Sequence, residues 1–168
     1  MNPFAYSTFE TPLGRLAVVV RDGRLVRLAL PGEDLAAVLD DVSAADGRRP
    51  EEDPVATKAV RDELVGYFAG RVREFRIPLD LSLAHGFDRR ALAALAEVPY
   101  GTTLTYGELA ARAGNPRASR AAGHACATNP LPIVVPCHRV VRADGSLGNY
   151  SGGVRTKEEL LRLEGVFV

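Results

Sequence analysis

The chain has 168 residues, 46% of them hydrophobic, which is enough for one domain or two small ones around a real core. Its two cysteines, Cys126 and Cys137, exclude a disulfide framework, and the absence of any membrane-length apolar run or of a basic-then-apolar start to Met1-Asn2-Pro3-Phe4 leaves the cytoplasm as the expected location, with no membrane partner. The net charge of zero conceals an asymmetry: residues 1–84 carry 11 basic and 14 acidic side chains, residues 85–168 carry 10 and 7, so a polyanion would be drawn to the second half.

The first half alternates like paired strands, Ala5 to Glu10, Arg15 to Val20 and Leu25 to Leu30. Thr11-Pro12-Leu13-Gly14 separates the first two, and Asp22-Gly23 is a strong hairpin signal between the second and third. A weaker helical stretch follows from Glu33 to Asp41, then a polar segment through Pro54 that reads as a loop. Val55 to Phe68 has helical spacing, with Val60, Leu64 and Phe68 on one face and Gly70 placed to end it. Pro78 to Gly86 has the character of a connecting segment.

Beyond it the pattern changes to helix and tight turn. Phe87 to Glu97 is rich in alanine and leucine and is stopped by Pro99-Tyr100-Gly101. Thr105 reads as an N-cap before Tyr106 to Arg112, with Glu108 completing a capping box. Ala113-Gly114-Asn115 is a turn, and Pro116 suits the first turn of a helix running through Arg120 towards Ala127. Two short helices joined by a glycine-containing turn, with arginines on the second, are the pattern of a helix-turn-helix. Between Glu108 and Asp144 there is no carboxylate, yet Arg112, Arg117, Arg120, Arg139 and Arg142 all fall there. Asn129-Pro130-Leu131-Pro132 breaks the helix, the segment from Gly145 to Gly153 bends tightly and could cradle a planar ligand beside Tyr150, and a last helix runs from about Thr156 to Glu164.

Pro136-Cys137-His138-Arg139-Val140 is the most informative stretch, because it sets a nucleophile beside a base. The proline fixes the backbone before the thiol, the histidine can help ionise it, and the arginine adds positive charge that favours thiolate. Neighbouring side chains point to opposite faces of a strand, or a quarter-turn or more apart on a helix, so His138 is badly placed to take the proton directly. A bridging water and a carboxylate that orients the imidazole would complete such a relay. Glu164 is one candidate, and spacing alone does not select it over Glu158 or Glu159.

Taken in order, Thr11-Pro12-Leu13-Gly14, Tyr67-Phe68-Ala69-Gly70, Pro78-Leu79-Asp80-Leu81, Val98-Pro99-Tyr100-Gly101-Thr102, Gly114-Asn115-Pro116, Arg120-Ala121-Ala122-Gly123, Asn129-Pro130, the cysteine motif and Asn149-Tyr150-Ser151-Gly152-Gly153 closely resemble the O6-alkylguanine-DNA alkyltransferases, or methylated-DNA–protein-cysteine methyltransferases. The resemblance covers nearly the whole chain. It implies an α+β fold: an N-terminal RNase-H-like α/β domain with a small antiparallel sheet over residues 1–80, a linker at 81–86, and a mainly α winged-helix-like domain with the helix-turn-helix over 87–168. It implies a monomer that binds double-stranded DNA in the minor groove and rotates the damaged guanine out of the stack. Acceptance of O4-alkylthymine and cooperative coating of DNA stay open.

The activity implied is a single irreversible transfer of the alkyl group from guanine O6 to Cys137, without cofactor or metal. By the same resemblance, His138 deprotonates Cys137 through a water, Glu164 holds His138, and Tyr106 donates at the guanine N3. Arg120 fills the gap left by the flipped base, with Ala121 and Gly123 on the same DNA-facing helix. The carbonyls of Cys137 and Val140 accept from the exocyclic amine, and the Ser151 N–H faces O6. Asn129 is a structural hinge, and Pro132, Gly148 and Tyr150 border the alkyl group, which implies room for benzyl. Asp88 and Leu92 depart from the residues common in the family at positions of packing or solvent character, and Cys126 is expected to be buried and inert. Three other classes compete: a non-catalytic lesion binder, against which Cys137 itself argues; a cysteine hydrolase, for which no oxyanion feature is present; and a zinc site of Cys126, Cys137, His124 and His138, whose spacing fits no familiar pattern.

Overall fold

A computed structural model describes residues 2–166, and the chain divides into two compact units, Met1–Leu83 and Ala84–Val168. The first is built on β1 (Ala5–Thr11), β2 (Gly14–Arg21) and β3 (Arg24–Ala29), antiparallel neighbours in the sheet order β3-β2-β1-β4. The Asp22-Gly23 hairpin is as the sequence indicates: φ is 53° at Asp22 and 77° at Gly23, the two positive values that a two-residue turn matching the strand twist requires. β4 (Glu51–Glu52) falls in the stretch expected to be loop and adds to β1 in parallel, through Glu51 N–H to the Phe4 carbonyl and Asp53 N–H to the Tyr6 carbonyl, both 2.9 Å. Two exposed glutamates carry no strand pattern, and only backbone pairing makes them one. The sheet is therefore mixed rather than wholly antiparallel. At the other edge, Leu25 bonds to the carbonyl of Pro78 (2.8 Å) and accepts from Asp80 N–H (2.9 Å), so the segment that begins the expected connection is tied to β3.

Leu16, Ala17, Val18, Val19 and Val20 are all buried, and since alternate strand residues point to opposite faces, both faces of β2 are covered. α1 (Leu35–Ser43), N-capped by Asp34, covers one face: Leu39 and Val42 cluster with Phe4, Val19 and Val26, and Val38 with Ala17 and Ala29. α2 (Lys58–Phe68) buries Val60, Leu64 and Tyr67 and contacts β1, where the hydroxyls of Ser7 and Thr57 share a buried 2.6 Å hydrogen bond. It starts three residues later than its apolar spacing indicates, because Asp53 caps the preceding turn by accepting from the N–H groups of Val55 and Ala56.

The second unit packs α3 (Gly86–Leu95), α4 (Tyr106–Arg112) and α5 (Ser119–Ala127) through Ala91, Ala113 and Ala125, small side chains that let the three helices approach closely. The Thr105–Glu108 capping box opens α4 as expected. α5 begins at Ser119 rather than at Pro116: the Asn115 side chain accepts from Arg117 N–H (3.1 Å), and the Asn115 carbonyl accepts from Ala118 N–H (3.0 Å), so the proline sits in the turn. A two-stranded parallel ladder of β5 (Leu104–Thr105) and β6 (Val140–Val141) fastens the start of α4 to the end of the cysteine motif. α6 (Val154–Leu163) closes the unit with Leu160, Leu161 and Lys157 buried and Glu164 at its C-cap.

Candidate active site

Asn129 starts the site. Its amide donates to the Val135 carbonyl and its oxygen accepts from Leu131 N–H, both at 2.9 Å and buried, which ties down the turn between α5 and the cysteine motif. Within that turn Ile133 is fully buried with φ at 75°. A β-branched residue in this region is a true outlier and stores on the order of 1–3 kcal/mol that the surrounding bonds must hold. The chain then makes a single 3-10 turn, Cys137–Arg139, before entering β6, so that Cys137, His138 and Arg139 diverge from one turn and all three are buried.

His138 Nε2 lies 2.7 Å from Glu164 Oε2. Of the three carboxylates weighed from spacing, Glu164 is the one that reaches the imidazole, because it leaves α6 at the C-cap with its side chain buried. A carboxylate accepts, so Nε2 carries the proton and Nδ1 presents a lone pair; Nδ1 is buried and has no hydrogen-bond partner among the described residues. Burial holds the imidazole below its ordinary pKa while Glu164 opposes that shift. At neutral pH the ring is thus a neutral base held in one tautomer.

Arg139 does not play the part that its place in the motif implies. Its guanidinium grips Glu164 through Nε (2.8 Å) and Nη2 (3.0 Å), and Nη1 donates to the Val98 carbonyl. Gly101 N–H adds a 3.2 Å bond to the same carboxylate. Its charge is matched by Glu164, and the cation that acts on the thiol is Lys157. Lys157 is fully buried on the inner face of α6, donates to the carbonyls of Leu147 (2.5 Å) and Asn149 (3.4 Å), and has its ammonium 5.9 Å from the Tyr106 ring centre.

Burial pushes the Cys137 thiol up, and the Asn129 side chain, the Lys157 ammonium and Tyr150 act in the opposite direction. The Tyr150 hydroxyl is buried, lacks a partner of ordinary hydrogen-bond geometry, and is close enough to Cys137 for each to influence the other's ionisation. Tyr106 is pushed up by burial and by the two cysteines, so it stays a proton donor.

These groups surround one cavity of about 550 Å³, lined by Cys137, Tyr106, Arg120, Gly123, Tyr150 and Ser151 among others. Cys126 also lines it from α5; burial drives its thiol far up, in keeping with an inert role. Gly148 stands against the cavity: a Cβ there would meet the Tyr106 hydroxyl at 3.0 Å, and φ is 74°, so only glycine fits. Pro132, Val140 and Ala121 are not on its wall. Pro132 is buried in the turn that Asn129 pins, Val140 is fully buried in the β5–β6 ladder, and Ala121 lies half-buried on α5. Asn129 is buried in the turn between α5 and the cysteine motif, off the cavity wall. Among the described residues no cluster of three His, Cys, Asp or Glu side chains could hold a metal.

Comparison with known proteins agrees with this geometry. The ribonuclease-like domain of 6-O-methylguanine DNA methyltransferase matches residues 4–81, and its DNA binding domain matches residues 86–166. A methylated-DNA–protein-cysteine methyltransferase of Mycolicibacterium paratuberculosis is 41% identical over 159 residues, 95% of this chain and 91% of its own length. The chain belongs to the 6-O-methylguanine DNA methyltransferase family. The constitutive methylated-DNA–protein-cysteine methyltransferase of Bacillus subtilis is 37% identical, with 95% of this chain and 94% of that protein covered. A crystal structure of Mycobacterium tuberculosis OGT in complex with DNA superposes with a TM-score of 0.83 at 38% identity, covering 95% of this chain and 92% of that one. The mixed α+β fold expected for the family is thereby established.

Two features of this family member escape the motif reading. Lys157 had a visible signal: it shares a helical face with Leu160, Leu161 and Glu164, and a lysine at an apolar position needs a partner. Arg142 lines the cavity from just beyond β6 and looks in sequence like any surface arginine of the basic window.

Proposed function

We propose that the chain repairs DNA directly, moving the alkyl group from O6 of a guanine to Cys137 Sγ once and irreversibly. The observation that carries this is the buried file Glu164–His138 behind Cys137, opening on a cavity that also holds Tyr106 and Arg120. Cys137 passes its proton through a water to His138 Nδ1, and Glu164 stabilises the imidazolium. The thiolate attacks the alkyl carbon: the S–C bond forms, the C–O6 bond breaks, and its electron pair returns to the purine. Tyr106 gives its proton to the departing guanine at N3 and is reprotonated at the expense of His138. The net proton transfer is from thiol to guanine, so atoms and charge balance without a cofactor. Lys157 supports the thiolate until attack.

DNA is the partner, and α5 fits its minor groove, with the exposed Arg120 filling the place of the flipped base. One molecule suffices, because every residue of the site comes from Ala84–Val168 of a single chain. No helix among the described residues is long and apolar enough to cross a membrane; a free thiol kept for one reaction suits the reducing cytoplasm.

Intact-mass measurement after incubation with duplex containing O6-methylguanine tests the reaction. One methyl per protein, located on Cys137 and lost in Cys137→Ala, is the expected result. Unmodified protein with multiple turnover would overturn it.

A further inference from the structure

Glu164 is the one carboxylate buried among the described residues, and His138 and Arg139 share it. Oε2 accepts from His138 Nε2 at 2.7 Å and from Arg139 Nη2 at 3.0 Å; Oε1 accepts from Arg139 Nε at 2.8 Å and from Gly101 N–H at 3.2 Å. The guanidinium thus meets the carboxylate through two parallel bonds, the geometry in which arginine holds a carboxylate most firmly. Its third nitrogen donates to the Val98 carbonyl, and its carbon lies 5.9 Å from the Tyr100 ring centre, while the Tyr100 hydroxyl donates to the Leu163 carbonyl at 3.1 Å. The 98–101 segment closes over the pair.

Orienting the imidazole does not by itself call for this arrangement. A neutral amide oxygen in the same place would also accept from Nε2–H and fix the tautomer. What a carboxylate adds is negative charge, which favours the imidazolium that forms when Cys137 gives up its proton. Buried and unpaired, that charge would act too early: a lone carboxylate against an imidazole, shielded from water, draws a second proton onto the ring from solution, and a ring already protonated cannot serve as a base. Arg139 removes the conflict. With the guanidinium in place the Glu164–Arg139 pair is neutral before the reaction, and the ring beside it is neutral too. The charged groups acting on His138 are Glu164 and Lys157 from α6 and Arg139 from its own turn; the 98–101 segment brings Tyr100 and no charged side chain. Burial holds the ring's pKa down, Glu164 opposes it, and Arg139 and Lys157 reinforce burial.

We propose that Arg139 is a positioning residue of the alkyl transfer: by gripping both oxygens of Glu164 it cancels that charge at rest, so the carboxylate fixes the tautomer of His138 without loading the ring before Cys137 does. The inference rests on the alkyl-transfer reading above. Arg139 does not line the cavity, and it neither gives nor takes a proton; the thiol proton passes through a water to His138 Nδ1 and ends on guanine as before. A base that must take a proton and then yield it needs its partner's charge only while it holds that proton.

Two measurements on the full-length chain decide the matter. The first is nitrogen NMR of the His138 imidazole, assigned by its loss in His138→Gln. In the parent the ring should be neutral at neutral pH with its proton on Nε2, and in Arg139→Gln it should titrate about one pH unit or more higher. The second is the single-turnover rate of methyl transfer from O6-methylguanine duplex as a function of pH. Arg139→Gln should move the acid limb upward by the same amount, making transfer about tenfold slower below the limb, and the deficit should close on the alkaline side. Arg139→Lys, which keeps the charge without the fork, should leave the limb nearer its parental place. A deficit of equal size at every pH, or a His138 titration that does not move, would make Arg139 a strut for the 98–101 segment and overturn the proposal. A limb displaced as far in Arg139→Lys as in Arg139→Gln would overturn it as well. So would an imidazolium at neutral pH in the parent, a result that stands even where the variants fail to fold. A parent that transfers no methyl to Cys137 would instead sink the alkyl-transfer reading, and the imidazole titration would still judge Arg139.

Discussion

The two units bury different things. Among the described residues the first unit buries the hydroxyls of Ser7 and Thr57, which satisfy each other, within a core of apolar side chains and Tyr67. The second buries His138, Arg139, Lys157, Glu164, Cys126 and Cys137 together with Asn129, six ionisable side chains within one small helical unit. Charges taken out of water cost several kcal/mol each unless paired with good geometry, and a hydrophobic replacement is often no less stable. A unit that keeps them is shaped by chemistry more than by stability, and the contrast separates the scaffold from the site.

The strongest way to break the contrast is to remove the anion that holds it together. Glu164→Gln leaves Arg139 buried beside a neutral amide and frees the imidazole to turn. We expect a loss of roughly 3–5 kcal/mol in stability, the usual consequence of orphaning one partner of a buried pair. We also expect alkyl transfer on O6-methylguanine duplex to slow by about 100-fold, the low end of what a positioned acid–base group contributes. Denaturant melts and single-turnover rates read the two effects separately, and a variant as stable and fast as the parent would show that the ion cluster is incidental.

Proton linkage gives a second test, confined to the second unit. His138 is held below its ordinary pKa by burial, so the unfolded chain binds a proton that the folded chain refuses; stability rises with pH there and is lost as pH falls below about 6.5. Cys137, Cys126 and Tyr150 are all pushed up by burial, so on the alkaline side the unfolded chain loses protons that the folded one keeps, and stability falls as pH climbs past about 8.5. Each proton contributes up to about 1.4 kcal/mol per pH unit. His138→Gln should flatten the acid limb of a melting-temperature profile and Cys126→Ala part of the alkaline limb. Limbs unmoved by either change would place the linkage elsewhere.

Much of this was legible in the sequence, because the signals were local. Asp22-Gly23 demands a specific turn, Thr105 and Glu108 cap one helix, and a cysteine beside a histidine in the second unit announces its use. What was hidden depends on tertiary placement. β4 exists only because Phe4 and Tyr6 offer carbonyls to it. Arg139 read as a cation for the thiol, yet α6 delivers Glu164 to it. The left-handed Ile133 defies its own propensity because Asn129 closes the turn on both sides of it. No spacing rule says that Arg120, on α5, and Arg142, just beyond β6, come to line one cavity.

A milder test sharpens the role of the second unit's buried lysine. Lys157→Met keeps the length and apolar stem but removes the charge that favours thiolate at Cys137 and the donor to Leu147 and Asn149. Alkyl transfer at neutral pH should slow by about tenfold, the effect of a thiol about 1.4 kcal/mol harder to ionise. The lost rate should return as pH is raised, which a purely structural defect would not allow. A pH-independent deficit would reduce Lys157 to an anchor for the 147–149 segment.

The smallest effect belongs to the first unit and completes the contrast. Thr57→Val preserves shape but leaves the Ser7 hydroxyl buried without its 2.6 Å partner and removes the acceptor for Arg61 Nε at 3.2 Å. An unsatisfied buried hydroxyl costs about 1–3 kcal/mol, and Ser7→Ala combined with Thr57→Val should recover part of it because neither group then lacks a partner. The rate of alkyl transfer per folded molecule should not change in either variant. A rate that fell with Thr57→Val and returned in the double variant would mean that the buried hydroxyl pair of the first unit is coupled to the chemistry of the second, and the division between scaffold and site would have to be redrawn.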